Sequence, residues 1–332
     1  MFRPVEVTAQ DGATFCGLGP QPLSPDAVAR QAPCAMWLLA DRSGNAVARC
    51  SLWWEGTPEY QSHRIGYIGH YAVTDPQAAP PLLNLACDQL AEKGCTLAVG
   101  PIDGNTWQRY RFITERGSEP PYFMEPDNPD EFPRQFTDFG FRPMADYYSA
   151  LNTDLSAPGP QMTATAQRIH DHGITIHALD PARLDEELRR VHALSLLSFR
   201  NNLLYTPISE ADFLAQYTPI RSYIRPDLVL LAEKASELIG YSFSIPDLLQ
   251  AKRGATIDTA ILKTLAVHPD HLGIGLGGLL MARAHEAAAQ AGFTRVIHAL
   301  FHESNRSGRL SAHTARVFRR YTLFARPLKD LE

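Results

Sequence analysis

The chain has 332 residues, of which 45% are hydrophobic and 20% are charged, and its formal net charge is −5. This length suits two domains of ordinary size, and the hydrophobic content is typical of globular proteins with buried cores. A nucleic-acid-binding protein needs a basic face, so the negative net charge predicts that nucleic acid is not a partner.

The cysteines form no CxxC pair and are scattered over the first third of the chain, at Cys16, Cys34, Cys50, Cys87 and Cys95. An odd, dispersed set indicates free thiols in a reducing compartment and predicts no metal site. Residues 1–12 lack the apolar core of a signal peptide, and no run reaches the ~18 apolar residues of a membrane span. We therefore expect a cytoplasmic protein with no membrane attachment.

In chain order, the first half contains a strand–helix–strand unit. Residues 66–73 have the pattern of a strand, residues 78–94 that of a helix ending at Gly94, and residues 95–101 that of a second strand. Residues 116–133, the acidic segment, are rich in proline and acidic side chains and too long for a simple connection.

A stretch rich in Pro, Gly, Ser and Thr, residues 155–167, is the best candidate for a linker. It divides the chain into a first domain of residues 1–155 and a second of residues 168–332. The pattern of the second domain predicts strands at 173–179, 259–267, 295–301 and 319–328, helices at 181–199, 209–224 and 278–292, and a hairpin turning near Ala235 and Ser236. This order predicts a mixed α/β sheet.

A glycine loop follows the strand that ends at Val267 and precedes a predicted helix. Its glycines stand at positions 273, 275, 277 and 278, and Ile274 and Leu276 alternate with the first of them. We expect the apolar side chains to be anchored in the core while the intervening amides point outward. Amides at a helix N-terminus, strengthened by the helix dipole, form a cradle for an anion.

Two alternatives to this cradle stay open. Gly273, Gly275 and Gly278 satisfy the G-x-G-x-x-G dinucleotide fingerprint, and Glu303 follows the next strand, where a ribose-binding acid belongs. Against this, a proline and an aspartate separate the strand from the glycines, and the adjacent hairpin is antiparallel in character. The other alternative is a flexible surface turn, although such a turn needs only one or two glycines.

The loop and its surroundings resemble the signature of the GNAT superfamily of acyl-CoA-dependent N-acyltransferases. In that family, a strand ending in Val-x-Pro precedes Arg/Gln-x-x-Gly-x-Gly/Ala at the start of a long helix. Here Val267 and Pro269 supply the first part, and residues 272–277 supply the second with Leu272 in place of Arg or Gln. Asn305 stands where the family's second signature has an asparagine, whereas Ala312 replaces the tyrosine that usually follows it.

The resemblance implies an α/β fold of two tandem GNAT-like domains, each a mixed, mostly antiparallel sheet flanked by helices. A weak internal repeat, residues 96–105 against residues 296–305, supports a duplication. We expect the first domain to be degenerate and to lack a cofactor loop, because Pro76, Pro80 and Pro81 stand in its turn and prolines offer no amide hydrogen.

The resemblance also implies that the protein is an N-acetyltransferase with acetyl-CoA, or another acyl-CoA, as cosubstrate. The acceptor would be a primary amine of a small molecule or a peptide, and the protein a monomer or a homodimer. A GNAT-like protein that binds acyl-CoA without turnover is the alternative. The strand ending at Val267 should splay from its neighbour near Leu300, so that its free backbone groups pair with the pantetheine.

The resemblance assigns a cofactor set, and the residues expected near the cleft provide a weaker catalytic set. The cofactor residues are Leu265, Ala266, Val267, Gly273, Ile274, Gly275, Leu276, Gly277, Gly278, Asn305 and Arg309, the last facing the 3′-phosphate. The catalytic candidates are Asp258, His302 and Glu303 as general bases and Ser311 as the acid that protonates the thiolate, with His313 and Tyr321 as further candidates for the acid.

The acceptor pocket is expected beside residues 198–209, which connect the first two helices of the second domain. Asn201, Asn202 and Tyr205 in this connection could hydrogen-bond a substrate, or they could cap helices and shape turns. The acidic segment either flanks the acceptor site, where it would favour a cationic amine, or is a plain surface excursion.

Overall fold

The structure, a computed structural model, describes residues 2–155, 160–303 and 314–328. The strands are β1 (Arg3–Glu6), β2 (Ala35–Ala40), β3 (Ala46–Trp53), β4 (Glu59–Tyr60), β5 (His63–Val73), β6 (Leu97–Gly100), β7 (Phe112–Glu115), β8 (Arg142–Asn152), β9 (Ile174–Ala178), β10 (Val229–Lys234), β11 (Glu237–Pro246), β12 (Thr259–Val267), β13 (Arg295–His302) and β14 (Arg316–Pro327). The α-helices are α1 (Gly12–Gly17), α2 (Pro25–Gln31), α3 (Ala79–Glu92), α4 (Glu131–Asp138), α5 (Pro160–Asp171), α6 (Leu184–Phe199), α7 (Glu210–Tyr217), α8 (Leu248–Lys252) and α9 (Leu276–Gln290).

One mixed sheet runs through both halves of the chain. Its strand order is β1-β2-β3-β5-β6-β14-β8-β13-β12-β11-β10-β9, with β4 beside β5 and β7 beside β14. Among the described strands, only the pairs β5–β6 and β12–β13 are parallel. The predicted fold class, a mostly antiparallel sheet flanked by helices in each half, is confirmed, and the two sheets join into one.

The join is made by an exchange of strands between the halves. The last strand, β14, lies between β6 and β8 of the first half, while β8 lies between β14 and β13. Tyr321, Leu323 and Phe324 of β14 are all at most 2% exposed. The domain boundary at residues 155–168 stays a prediction, and the halves it separates share one core across this exchange.

Helices cover both faces of the second half of the sheet. On one face, Leu194 of α6 and Phe213 of α7 belong to the same buried cluster as Phe243 of β11. On the other face, Leu276 and Leu280 of α9 cluster with the partly buried end of β12. The part of the sheet that contains β12 and β13 therefore has helices packed on both of its faces.

The local signals in the second half mark the ends of its elements. The side chain of Ser209 accepts a hydrogen bond from the amide of Asp212 and caps α7, and the β10–β11 hairpin turns through Ala235 and Ser236, both with positive φ. Both predictions are confirmed.

The linker prediction is wrong for most of its length. Residues 160–167 are helical, because they form the first turns of α5, and only residues 156–159 lie outside the described residues. The helix holds its place by packing, since Ile169 is 2% exposed and clusters with Ile174 and Leu276. Tertiary contact has overridden a composition typical of a loop.

The strand–helix–strand units β5–α3–β6 and β12–α9–β13 repeat the same parallel arrangement, as the proposed duplication requires. In the first unit, the chain after β6 continues beside β5. The amide of Ile102 donates to the carbonyl of Ile68 at 3.0 Å, and the Asp103 carboxylate accepts from the amide of His70 at 2.6 Å. A Cβ on Gly69 would lie 2.2 Å from the carbonyl oxygen of Ile102, so only glycine permits this closure. The space between the two strands is filled by the chain itself.

The first turn of α3 lacks amide donors. Pro80 and Pro81 stand in this turn and carry no amide hydrogen. The Asp75 carboxylate accepts a hydrogen bond from the amide of Gln77 at 3.0 Å, but His268 caps the equivalent turn after β12 in the same way, so this cap does not distinguish the two halves. The prolines agree with the expected loss of the cofactor loop in the first half.

No helix in the described ranges is long and apolar enough to cross a membrane.

Candidate active site

The glycine loop leads from the end of β12 into α9. Gly273 and Gly275 have left-handed backbone angles, with φ of +87° and +93°, a region that side chains rarely adopt. Leu276 is 1% exposed and clusters with the partly buried Ile274. No side chain of the described residues caps α9 at Gly275, so the first-turn amides, in residues 276–278, are available to an anion.

Backbone groups near the end of β12 face two directions. The amide of His268 donates to a carbonyl of β11 at 2.8 Å. Since hydrogen-bonded positions alternate along an antiparallel ladder, Ala266 also uses its amide within the sheet, whereas the amides of Leu265 and Val267 face the opposite edge. Of these three predicted residues, Leu265 and Val267 are the two whose amides can meet a ligand in the cleft.

The strands β12 and β13 pair only at their starts among the described residues. The last parallel pair joins Leu262 and His298. Beyond it, β13 has a bulge between His298 and Phe301 and a positive φ of 58° at Leu300. The predicted splay near Leu300 is confirmed.

A cavity of about 990 Å³ opens beside this splay. Its wall comes from both halves of the chain and includes β12, β13, the α6–α7 connection and the first-half segments 106–111 and 124–126. Most of the large side chains that line it are apolar or aromatic, among them Trp107, Tyr147, Phe199, Tyr205, Phe213, Tyr217, Phe243 and Leu262. The glycine loop is not part of this wall, whereas Leu265 of β12 is.

The acidic segment flanks the cavity through Met124, Glu125 and Pro126, and is not a plain surface excursion. The negative charge of Glu125, the carboxylate of this segment at the cavity wall, is balanced by a neighbouring arginine. Glu125 and Arg319 form an ion pair in which both side chains are 0% exposed, with Nη1 at 2.7 and 2.8 Å from the two carboxylate oxygens. Burial raises the pKa of Glu125, and Arg319 opposes that shift.

The same ion pair fastens the acidic segment to the last strand. Arg319 donates to the carbonyl of Arg116 at 2.7 Å and to the carbonyl of Glu119, and the hydroxyl of Tyr321 donates to Glu125. Arg319 is therefore fully buried, and Tyr321, one of the predicted candidates for the acid, is buried in this network outside the cavity wall.

Two histidines on β13 have different surroundings. His298 lies with its Nε2 2.7 Å from Nε2 of His285 in stacked rings, and burial lowers the pKa values of the two to about 3 and about 4. This neutral pair joins α9 to β13. His302 lines the cavity with its ring 4.9 Å from that of Tyr147. Burial lowers its pKa below the usual value, which leaves it neutral and able to accept a proton at pH 7.

The other predicted catalytic residues are placed less favourably. Asp258 is not among the residues that line the cavity, and its carboxylate accepts hydrogen bonds from Gln250 at 2.6 Å and Thr259 at 2.7 Å at the paired end of β12. Glu303 is exposed at the cavity rim. The predictions on Asn305, Arg309, Ser311 and His313 fall outside the described residues.

The predicted acceptor connection does border the cavity. Asn201, Asn202 and Tyr205 all line it, and the Tyr205 hydroxyl donates to the carbonyl of Leu196 at 3.2 Å.

No group of three or more His, Cys, Asp or Glu side chains in the described ranges could hold a metal ion.

Three cations near the cleft were missed by the sequence analysis. Arg168 of α5 lies beside the glycine loop, with Nη2 3.3 Å from the carbonyl of Ile274. Arg111 and Lys263 line the cavity. Only Lys263 could have been singled out from the sequence, because it is a single charge inside an apolar strand. Arg111 and Arg168 reach the cleft through tertiary packing, which the sequence does not reveal.

Part of the chain matches a known protein family. Residues 196–310 match the sequence profile described as the Acetyltransferase (GNAT) family. The chain is 24% identical over 217 residues to the "Bacterial ceramide synthase" of Caulobacter vibrioides (strain NA1000 / CB15N), covering 64% of this chain and 56% of the relative. It is 22% identical over 198 residues to "Protein YghO" of Escherichia coli (strain K12), covering 57% and 50%. The aligned part thus spans about half the length of these curated relatives.

Among solved structures, the chain is similar to a "Tandem GNAT protein from the clavulanic acid biosynthesis pathway", with a TM-score of 0.55, 13% identity and 100% of both chains covered. At this identity the likeness shows the fold alone. The dinucleotide alternative is not supported, because β12 has an antiparallel neighbour in β11 where that fingerprint needs a parallel sheet. The chain therefore has the fold of a tandem GNAT protein, and residues 196–310 match the GNAT family.

Proposed function

We propose that the protein transfers an acyl group from an acyl-CoA to a primary amine. The observation that carries this proposal is the splay between β12 and β13, which opens beside the cavity and is followed along the chain by the uncapped start of α9. The pyrophosphate of CoA lies on the amides of residues 276–278, with Arg168 beside it. The pantetheine lies along β12 as an added strand and pairs with Leu265 and Val267.

The chemistry follows from this placement. The amine nitrogen attacks the thioester carbonyl, an amide of β12 stabilises the resulting oxyanion, and the C–S bond then breaks to release CoA thiolate. His302 is neutral and borders the cavity, so it takes the proton that the amine loses, directly or through water. Glu125 is not used as a base, since Arg319 and Tyr321 already hold its carboxylate.

The acyl group transferred is expected to be acetyl, and the cavity is large enough for a longer acyl chain. Its aromatic wall beyond Leu265 could bury an alkyl chain, which would add roughly 0.8 kcal/mol for each CH₂ group removed from water. The match to a relative named a ceramide synthase is a further reason to include long-chain donors in any test.

Thiol release distinguishes this enzyme from a protein that only binds acyl-CoA. The full chain, incubated with acetyl-, octanoyl- or palmitoyl-CoA and a panel of primary amines, should release CoA thiol only when an amine is present. His302→Gln should lower kcat by about 10²-fold, the usual contribution of a general base, with little change in the Kd for acyl-CoA. Saturable acyl-CoA binding without thiol release from any donor would establish the binding-protein alternative.

Binding stoichiometry provides a second test. Calorimetric titration should give one CoA per chain, because the first half fills the corresponding space with Ile102 and Asp103 and has Pro80 and Pro81 in the first turn of α3. Asp75→Ala removes the capping carboxylate and should still give one site, because the space between β5 and the following chain stays closed. Two equivalent sites in the unmodified chain would contradict the proposed loss of the cofactor site.

A further inference from the structure

Arg111 lies in the cavity wall with polar atoms that nothing in the described chain satisfies. The residue is 7% exposed, and its Nε and Nη1 atoms are buried without a hydrogen-bond partner among the described residues. Its guanidinium carbon is 3.8 Å from the ring centre of Tyr110 and 4.0 Å from that of Tyr147. The two rings hold the charged group in place and leave its N–H edge to meet another partner.

Burying a guanidinium group without hydrogen-bond partners is unfavourable in free energy. Buried donors are nearly always satisfied, and a buried charge is normally paired. The backbone of Arg111 adds to the cost, since its φ of +69° is a left-handed angle that a bulky side chain rarely adopts. Such a residue is expected where a ligand supplies the missing acceptor.

Lys263 provides a second cation on the same cavity. It is the extra residue at a bulge in β12, where Phe243 pairs with Thr264 and the next residue of β11 pairs with Leu262. Its Nζ donates to the carbonyl of Met124 at 3.3 Å, and it forms no ion pair with a described residue. Burial lowers the pKa of Lys263 to about 8, the positive charge of Arg111 acts in the same direction, and Glu125 opposes both.

The other charges around the cavity do not neutralise this pair. Glu125 is shared between Arg319 and Tyr321, and Glu303 is exposed at the rim. Arg109 adds a further positive charge to the wall, and it is engaged by Gln21 and by the carbonyl of Asp127. His302 is neutral. Arg111 and Lys263 are therefore two positive charges without a counter-ion in the described part of the chain.

We propose that Arg111 and Lys263 bind an oxyanion of the acceptor, a carboxylate or a phosphate, so that the substrate is an amine that also carries an acidic group. This inference rests on the proposed acyl transfer. The fork of a guanidinium suits two oxygens of one such group, and a lysine adds a point charge beside it. The acceptor is then anionic, in contrast to the cationic amine that the composition of the acidic segment suggests.

Matched acceptors test the proposal with one acyl donor held constant. Phenylalanine is compared with phenethylamine, and O-phosphoethanolamine with ethanolamine, by kcat/KM for thiol release. In at least one pair the acid-bearing member should be preferred by about 10- to 100-fold, the range of a charged hydrogen bond. The pair that shows the preference identifies carboxylate or phosphate. Equal kcat/KM within both pairs would overturn the anion site.

Single substitutions test whether Arg111 and Lys263 cause the preference for the acid-bearing acceptor. Arg111→Met and Lys263→Met should each reduce it by about 10-fold or more, whereas Lys234→Met, at an exposed lysine at the far end of β10, should leave it unchanged. The preference should fall as pH rises through about 8 in the unmodified chain, because Lys263 loses its charge, and should not fall there in Lys263→Met. A preference that survives Arg111→Met would refute the assignment.

A binding measurement separates this inference from the proposed function. 3-Phenylpropionate and phenyl phosphate carry the anion without an amine, so calorimetry reports their affinity whether or not transfer occurs. We expect at least one to bind, and Arg111→Met to weaken it by about 10-fold or more. Anion binding without thiol release from any amine would reject the acyl transfer and keep the anion site. Failure of both anions to bind the unmodified chain would reject the site.

Discussion

Replacing Arg319 by methionine is expected to lower the free energy of unfolding by about 3–5 kcal/mol, the usual cost of leaving one member of a buried ion pair alone. The substitution leaves the carboxylate of Glu125 buried without its counter-ion. The Glu125 side chain is 0% exposed, and its two oxygens lie 2.7 and 2.8 Å from Arg319. The substitution also removes the donors to the carbonyls of Arg116 and Glu119, which fasten the acidic segment to β14. Urea denaturation of the ligand-free chain measures the change.

The next residue offers a matched control. Arg320 also pairs with carboxylates, Glu115 and Asp146, but its side chain is 36% exposed. Arg320→Met should cost only about 1 kcal/mol, because ion pairs near the surface contribute little. The double variant Glu125→Gln/Arg319→Met should recover part of the loss, since no unpaired charge stays buried. Equal destabilisation by Arg319→Met and Arg320→Met would show that the buried pair has no special role.

The sequence predicted those parts of the fold that depend on neighbouring residues. The cap at Ser209, the hairpin turn at Ala235 and Ser236, and the glycine loop all have local causes, because they rest on the backbone preferences of a few adjacent residues. The position of β14 has no such cause. Its alternation of apolar and polar residues suits any half-buried strand, and only the assembled sheet selects β6 and β8 as its partners.

The same distinction applies to the site. The cradle from Gly273 to Gly278 and the splay after Leu262 lie in one continuous stretch, so a single pattern indicated them. Arg111 and Lys263 come from opposite halves of the chain, and neither half alone forms the cavity. Arg319 is likewise buried against a carboxylate that is distant in sequence. Pairing across such distances leaves no mark in the spacing of residues.

Replacing Gly277 by glutamate is expected to weaken acyl-CoA binding by at least about 100-fold, because like charges brought together at an interface cost several kcal/mol. Gly277 is the second residue of α9, two positions after the left-handed Gly275, and its amide is among those left for the pyrophosphate. The same change should not destabilise the ligand-free protein. Glutamate has a better helix propensity than glycine by up to about 1 kcal/mol, and a carboxylate near a helix N-terminus is favourable. Loss of binding with unchanged or raised Tm is therefore the expected combination.

Gly277→Gln is the matched control, because glutamine has nearly the size of glutamate without its charge. It should weaken binding by no more than about 10-fold, which corresponds to crowding worth about 1.4 kcal/mol. Calorimetry with acetyl-CoA and palmitoyl-CoA measures both variants, and a thermal-shift titration with NAD tests the dinucleotide alternative on the same samples. NAD should cause no shift. If Gly277→Glu bound acyl-CoA as tightly as Gly277→Gln, the pyrophosphate could not lie on the first turn of α9, and the splay between β12 and β13 would need a different ligand.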